Sequence, residues 1–161
     1  MKLRILMILC CLPLCVATVF GQSTPEKAPD VSTELRKGFD EVNGWLTKAA
    51  EMVPADKYTY RPADSVRTFG QLIGHITDSY NYFCVRGVGN KVEWSDPVEK
   101  GATDKETLLP KLKEAVGRCN AAYGSSNAQF GPLFMNVGHT NLHYGNVITY
   151  MRMIGLKPPS S

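Results

Sequence analysis

Two histidines near the C-terminal end are the residues whose type and spacing point most directly to chemistry. His139 and His143 are four positions apart, so on a helix their side chains lie one above the other on the same face. This spacing lets two imidazole nitrogens converge on one metal ion, as in helical zinc sites. The third histidine of the chain, His75, also lies in a strongly helical segment. If the two helices pack side by side, all three histidines can meet at one point.

Three neutral histidines with an open fourth position form a ligand set that catalytic zinc uses. Imidazole suits nickel, iron or copper as well. Burying several imidazoles without partners costs several kcal/mol, and a shared metal ion would offset that cost. The alternative is that these histidines are ordinary core residues, and spacing alone leaves both interpretations open.

Amphipathic patterns predict the helices that must position these histidines. Apolar residues recur at three- and four-residue steps in segments 32–52, 69–85, 103–123 and 132–155, as expected for helices with one buried face. Capping boxes at Thr68 and Thr103 open two of them, and Gly155 is the predicted C-cap of the last. The sequence therefore predicts an all-α, four-helix bundle with a long connection over residues 31–161.

The last helix is predicted to turn both of its histidines into the bundle. His139 and His143 share a broad face with apolar residues that are expected to be buried, namely Met135, Leu142, Val147, Tyr150 and Ile154.

The N-terminal segment has the pattern of a secretory signal peptide. Lys2 and Arg4 precede an apolar run of residues 6–19, which matches the charged and apolar regions of such signals. We predict a signal peptide over residues 1–21, a polar linker over 22–30 and export to the periplasm or the medium. An uncleaved signal that anchors the chain in the membrane is the alternative, although Pro13 interrupts the run and its length is short for a membrane-spanning helix.

The charge of the chain argues against nucleic acid as a partner. The formal net charge is +3 over 161 residues and falls to about +1 without Lys2 and Arg4. No basic stripe or aromatic RNA-binding signature is present.

Signal cleavage would remove Cys10, Cys11 and Cys15 and leave Cys84 and Cys119 on different predicted helices. In an oxidising compartment these two could form a disulfide, and as buried thiols they would simply pack in the core. No histidine is close in sequence to either one, so a cysteine nucleophile is not expected.

Two runs of the sequence resemble the DinB-like family of bacterial four-helix bundles. Residues 67–76, RTFGQLIGHI, resemble the second-helix motif of that family, and residues 139–160, HTNLHYGNVITYMRMIGLKPPS, resemble its C-terminal signature. The resemblance implies a divalent metal ion, usually zinc or nickel, held by His75, His139 and His143. It also implies a possible homodimer.

The resemblance is compatible with more than one reaction. Family relatives include thiol S-transferases, whose thiol cofactors are chiefly cytoplasmic, and the predicted export of this chain puts that reaction in doubt. Metal-assisted hydrolysis of a small-molecule substrate is the remaining enzyme hypothesis. The alternative is a non-catalytic bundle whose metal joins two helices or serves an interaction.

Several polar residues lie close enough in sequence to the histidines to take part in a site. Asp78 could accept a hydrogen bond from a histidine, although an exposed helix carboxylate is the simpler interpretation. Asn146 could orient a ligand or join a local hydrogen-bond network. The remaining candidates are Tyr82 and Tyr150 as pocket or core residues, Arg152 as an anion clamp or helix-dipole partner, and Gly74 and Gly145 as points of close helix approach.

Overall fold

The computed structural model describes residues 31–101 and 103–161. Over these ranges the chain forms helices α1 (Val31–Met52), α2 (Phe69–Arg86), α3 (Lys105–Tyr123) and α4 (Phe130–Met153), with a short 3-10 turn at Ala55–Lys57 and no strand. The predicted all-α four-helix bundle is therefore confirmed. The predicted signal peptide and linker, residues 1–30, lie outside the described residues.

The four helices pack around one core, and each helix has two main neighbours. α2 packs against α3 and α4, while α1 packs against α4 and α3. This arrangement makes α2 and α4 direct neighbours, which the meeting of the three histidines requires. The largest fully buried side chains come from α1, α2, α3 and α4 and from the connection after α1: Phe39, Leu46, Tyr58, Phe69, Ile73, Ile76, Tyr80, Leu108, Leu112 and Met151.

The helix ends follow the local chemistry of the sequence, with two corrections. The capping box at Thr68 is present, with Gln71 as its reciprocal partner. The predicted box at Thr103 is wrong, because Asp104 is the N-cap of α3 and accepts from the backbone N–H of Thr107. Gly155 lies one residue beyond the C-cap of α4 with φ of 78°, a conformation that glycine adopts without steric cost.

Part of the predicted buried face of α4 is wrong. Val147 and Tyr150 are buried, but Met135 and Leu142 are exposed by 54% and 65%. These two side chains face outward because α4 uses the opposite arc, which carries the histidines, to pack against its neighbours.

A disulfide between Cys84 and Cys119 joins α2 to α3. Both cysteines are buried, and the amide of Asn136 lies against the sulfur of Cys84 at 3.6 Å. Of the two interpretations that the sequence left open, the structure therefore favours the disulfide. None of the helices in the described ranges combines the length and the apolar character that crossing a bilayer would require.

Candidate metal centre

The three histidines meet at the seam between α2 and α4. The ring centroid of His75 lies 5.1 Å from that of His139 and 4.7 Å from that of His143. The Nε2 atoms of His139 and His143 are 3.2 Å apart. One nitrogen from each ring falls within 4.8 Å of one nitrogen from each of the others, so the three residues could hold one metal ion.

The distances fit an ion at the centre of the cluster. Two nitrogens each about 2.0–2.1 Å from a zinc ion at a tetrahedral angle would be roughly 3.4 Å apart, close to the 3.2 Å between His139 and His143. In addition, Nδ1 of His139 is buried without a hydrogen-bond partner. Such a nitrogen is costly to bury, but an ion bound through Nε2 would leave it without a partner, so the distances alone support the ion.

The electrostatics keep two of the rings neutral. Burial, and after it the neighbouring His143, His75 and Arg67, lower the pKa of His139 to about 4. Burial, His75 and Arg67 likewise lower the pKa of His143 to about 4. Metal ions bind the neutral form of imidazole, so at neutral pH both side chains are ready to act as ligands without first losing a proton.

His75 is oriented by a carboxylate. Its Nδ1 lies 2.8 Å from Oε2 of Glu99, and since a carboxylate only accepts, Nδ1 carries the hydrogen and Nε2 has the free lone pair. Arg67 pairs with the same carboxylate through Nε at 2.7 Å. A histidine that donates its second ring N–H to a carboxylate is the usual arrangement at protein metal sites.

Asp78 and Gly74 place Glu99 at this position. The buried carboxylate of Asp78 accepts from the backbone N–H groups of Val98, at 3.1 Å, and Glu99, at 2.9 Å. A side chain at Gly74 would bring a Cβ within 2.8 Å of the Cα of Glu99. The connection between α2 and α3 therefore lies directly on α2. This contact fixes the position of Glu99 relative to His75.

Trp94, from the same connection, covers one side of the cluster. Its ring centroid is 5.6 Å from that of His75 and 6.3 Å from that of His139. The indole N–H donates to Asp96 at 2.7 Å. The side chain is also 39% exposed. Because it contacts the histidines and solvent at once, it covers this side of the cluster.

A second group of possible ligands shares His75 and consists of His75, Asp96 and Glu99. Its two carboxylates already have partners, because Glu99 pairs with Arg67 and Asp96 pairs with Lys100. A cation at this place would have to compete with both of these side chains. In the three-histidine group, Arg67 contacts only Nδ1 of His75, at 3.3 Å, and this nitrogen is the one bonded to Glu99. The three-histidine group is therefore the better ligand set.

A cleft of about 470 Å³ opens near the cluster, and its wall contains residues that contact two of the histidines. Glu99, which contacts His75, and Asn146, whose amide lies 3.4 Å from Nδ1 of His143, both line it. Arg67 and Tyr150 form another part of the wall, and the Tyr150 hydroxyl donates to the backbone carbonyl of Arg67 at 2.9 Å. A small molecule in this cleft would contact Glu99 and Asn146, which themselves lie against His75 and His143.

Some of the predictions for the other polar residues are confirmed, and others are wrong. The interpretation of Asp78 as an exposed carboxylate is wrong, since the residue is 2% exposed and its burial raises its pKa. Asp78 also has no hydrogen bond to an imidazole. It holds the backbone of Glu99, and Glu99 contacts His75. Tyr150 is both buried and part of the cleft wall, and Asn146 faces the cleft as predicted.

Three further candidates lie away from the cleft. Tyr82 packs edge-to-face on Trp94, and Arg152 is exposed and contacts Ser161. The prediction of close helix approach at Gly145 is wrong within the described residues, because a Cβ there would meet no atom within 4 Å. Gly74 does allow a close approach, but of the connecting segment and not of a helix.

The sequence did not single out Glu99, Arg67 or Trp94. All three lie outside the helical patterns, in or next to segments that read as polar connections. One weak signal was present, because Trp94 stands in a connection that is otherwise polar, where a large aromatic side chain must cover something. Their roles depend on how residues 90–101 lie across α2, and this is a tertiary property.

The chain is similar to known proteins in its sequence and in its fold. A sequence model of the DinB superfamily matches residues 38–147, a range that includes all three histidines. The fold is similar to the crystal structure of a DinB-like protein from Bacillus cereus, with a TM-score of 0.65 and 17% identity, over 79% of this chain and 95% of the other. The comparison with curated proteins finds no match.

Proposed function

The chain belongs to the DinB superfamily, and we propose that it is an exported enzyme that binds one divalent metal ion through His75, His139 and His143. The observation that carries this proposal is that three imidazoles converge within 4.8 Å beside an open cleft. Zinc or nickel is the expected ion, because the resemblance to the DinB-like family implies one of these two; imidazole ligands alone would also suit iron or copper.

A divalent ion in such a ligand set acts as a Lewis acid and lowers the pKa of a water or thiol that it binds. The protein's own contribution is to orient and to shield. Glu99 fixes the tautomer of His75, and Arg67 balances the charge of Glu99. Trp94 lies against His75, while the cleft along Glu99 and Asn146 gives a substrate room beside residues that contact the imidazoles.

Metal-assisted hydrolysis is the reaction class that we favour. Disulfides persist in oxidising compartments, so the Cys84–Cys119 bond, together with the predicted signal peptide, supports export. Export separates the chain from the cytoplasmic thiol cofactors on which thiol transfer would depend.

Non-catalytic metal binding is the second candidate, and one observation favours it. Both carboxylate oxygens of Glu99 are already engaged, by Arg67 and by His75. Glu99 is therefore held as an orienting group and is not free to act as a general base. If no other base serves the cleft, the ion would join α2 to α4 and stabilise the bundle.

Metal content is the first test. We expect about one equivalent of zinc or nickel by elemental analysis of the purified protein, and a loss of nearly all of it in the His75→Ala, His143→Ala double variant. Asn141→Ala is the matched control, since that exposed side chain bonds only to the Val137 carbonyl one turn away. Metal that stays near full stoichiometry in the double variant would refute the site.

Catalysis is the second test and separates the two candidates. The metal-loaded protein is assayed against panels of carboxyl esters, phosphoesters, amides and thiol acceptors, with the chelator-treated protein as reference. Turnover that requires the metal and disappears in His75→Ala supports an enzyme. Stoichiometric metal without turnover, together with a higher melting temperature of the loaded form, supports the non-catalytic alternative.

A further inference from the structure

The wall of the cleft near the histidine cluster has two chemically different parts. Pro62, Val66 and Leu72 line one part with apolar surface. Polar side chains line the rest, and of the described residues that form the wall only Arg67 and Glu99 are charged. The volume of about 470 Å³ falls within the range of small-molecule sites. The cleft therefore suits a small molecule with an apolar part and one polar end.

The guanidinium of Arg67 has hydrogen-bond donors that the protein leaves unused. Of its five N–H donors, Glu99 receives one from Nε at 2.7 Å and one from Nη2 at 3.4 Å. Nη1 donates to no residue in the part of the chain that the structure describes. The side chain is 40% exposed and lines the cleft. Its remaining donors can therefore bind a ligand there.

Arg67 is held in position before any ligand binds. The hydroxyl of Tyr150 donates to its backbone carbonyl at 2.9 Å, and Glu99 holds its side chain through two nitrogens. The next residue, Thr68, is the N-cap of α2. A side chain that is already ordered loses little conformational entropy on binding. Arg67 is therefore a preorganised binding group.

The chemistry of the wall favours a carboxylate as the polar end of the ligand. A carboxylate matches the planar guanidinium and brings a single negative charge, and Arg67 is the one cation of the wall within the described residues. A phosphate with two negative charges would leave one of them without a partner. Ser65 and Asn146 line the same cleft, and their hydroxyl and amide groups can donate to the second carboxylate oxygen.

We propose that this cleft binds the carboxylate of a small organic acid, with Nη1 of Arg67 as its main partner and the apolar part of the acid against the apolar part of the wall. The inference rests on the proposed function in one respect, namely that the bound acid is the substrate. Nη2 of Arg67 lies 3.3 Å from Nδ1 of His75. An acid bound at Arg67 would therefore lie close to the candidate metal ligands.

NMR titration of the isotope-labelled, chelator-treated protein with benzoate tests the carboxylate site. Benzamide is the matched probe, because it has nearly the same shape and no charge. We expect benzoate to bind about tenfold or more tightly than benzamide and to shift the side-chain signals of Arg67 and Asn146. Removing the metal prevents benzoate from binding to an ion directly, so the result does not depend on the metal site.

Two substitutions with opposite expected effects separate ligand binding from a structural role. Arg67→Gln should weaken benzoate binding about 10–100-fold, because it removes a charge-assisted hydrogen bond. Glu99→Gln should strengthen it about threefold or more, because it removes the negative charge that competes for Arg67. A loss of local structure would weaken binding in both variants. Arg152→Gln, at an exposed position of α4, removes the same charge as Arg67→Gln and should leave benzoate binding unchanged.

Turnover tests whether the bound acid is the substrate. Each ester or amide that the metal-loaded protein hydrolyses is compared with its analogue in which a neutral carboxamide replaces the free carboxylate. We expect kcat/KM to be about tenfold or more higher for the acid, and Arg67→Gln should reduce this ratio. Equal values for the two forms would contradict the assignment of the substrate class.

The carboxylate site itself is overturned if benzoate and benzamide bind equally, if Arg67→Gln leaves benzoate binding unchanged or if Glu99→Gln weakens it. Tighter binding of phenyl phosphate than of benzoate would also overturn it and would identify a phosphate site. Failure of the proposed function is a separate result. A protein without metal or without turnover would refute that function, and the benzoate titration would still decide whether the cleft binds a carboxylate.

Discussion

At the scale of single residues, the contact of Nδ1 of His75 with Glu99 determines how His75 can act as a ligand. This contact, at 2.8 Å, assigns the hydrogen to Nδ1 and leaves Nε2 directed to the cluster. Arg67 pairs with the same carboxylate and also lies 3.3 Å from Nδ1 of His75, and it prevents Glu99 from carrying an unbalanced negative charge. The three side chains act as one unit, and the metal affinity of the cluster should depend on all of them.

Glu99→Ala should weaken metal binding without removing it. The substitution takes away the acceptor that orients His75 and leaves the Arg67 cation next to the ligand, so we expect the affinity for zinc to fall about 10–100-fold. Competition against a chromogenic chelator measures this change. Glu93→Ala, an exposed carboxylate in the same connection, is the control, and equal affinities of the two variants would contradict the assigned role.

The stability of the metal-free protein should fall as the pH is lowered from about 6.5 to about 4. Both His139 and His143 have a folded-state pKa of about 4, against about 6.5 in an unfolded chain. In this window the unfolded chain takes up protons that the folded protein does not, so acidification favours unfolding. We expect a loss of about 1–2 kcal/mol per ring, below the ideal linkage value because both rings are partly open to solvent.

Urea denaturation of the chelator-treated protein at pH 7 and pH 4.5 measures this loss. The His139→Ala, His143→Ala variant is the reference, since it lacks both groups and should show a smaller difference between the two pH values. An identical pH dependence in the variant would mean that other groups are responsible.

At the scale of elements, the connection between α2 and α3 determines whether the histidine cluster is complete. Asp78 holds two of its backbone N–H groups, and Gly74 lets its backbone lie on α2. The helices bring the three imidazoles together, but the connection supplies Glu99 and Trp94. A change that lifts this segment should therefore affect metal binding without touching an imidazole.

Gly74→Ala is such a change. Its Cβ would lie 2.8 Å from the Cα of Glu99, and since backbone cannot move aside as a side chain does, the connection must shift. We expect a loss of about 1–3 kcal/mol in the free energy of unfolding and weaker zinc binding. Thermal denaturation and chelator competition report the two effects.

Gly117→Ala is the matched control for this experiment. Gly117 is in the middle of α3, and a Cβ there would meet nothing within 4 Å. The same substitution should stabilise the protein by about 0.5–1 kcal/mol. If Gly74→Ala behaved in the same way, the close approach of the connection would be of no energetic importance.

At the scale of the whole molecule, the Cys84–Cys119 disulfide ties the two most extensively packed helices together. It crosses the core beside Asn136 of α4, on the part of the bundle away from the cleft. The disulfide therefore contributes to the stability of the bundle and has no direct contact with the candidate metal ligands. This separation lets stability and metal binding be tested independently.

Removing the disulfide should destabilise the bundle and leave its metal content unchanged. For a sequence separation of 35 residues, the chain-entropy model gives about 4 kcal/mol, and typical measured values are about 2–4 kcal/mol. Urea denaturation of the Cys84→Ala, Cys119→Ala variant measures the loss. Reductant should lower the midpoint of the unmodified protein only, and a variant as stable as the parent would contradict the prediction.

The sequence by itself determined the helices and the identity of the candidate ligands. Apolar residues at helical spacing report the buried face of each helix, so α1, α2 and α3 were predicted within a few residues, as was the four-helix class. His139 and His143 had to share a face because of their spacing. His75 was a candidate as the third histidine of the chain in a strongly helical segment, and the family resemblance supported it as the third ligand. The matched range places the chain in the DinB superfamily.

Only the tertiary structure decided what surrounds the histidines and which face of α4 is free. Glu99 and Trp94 belong to a segment without periodicity, so nothing local indicates where they lie. Asp78 read as an exposed carboxylate because the backbone that it holds is 20 residues away in sequence. Met135 and Leu142 read as core because α4 is apolar on every side, and periodicity cannot choose between two apolar faces when only packing against neighbours separates them.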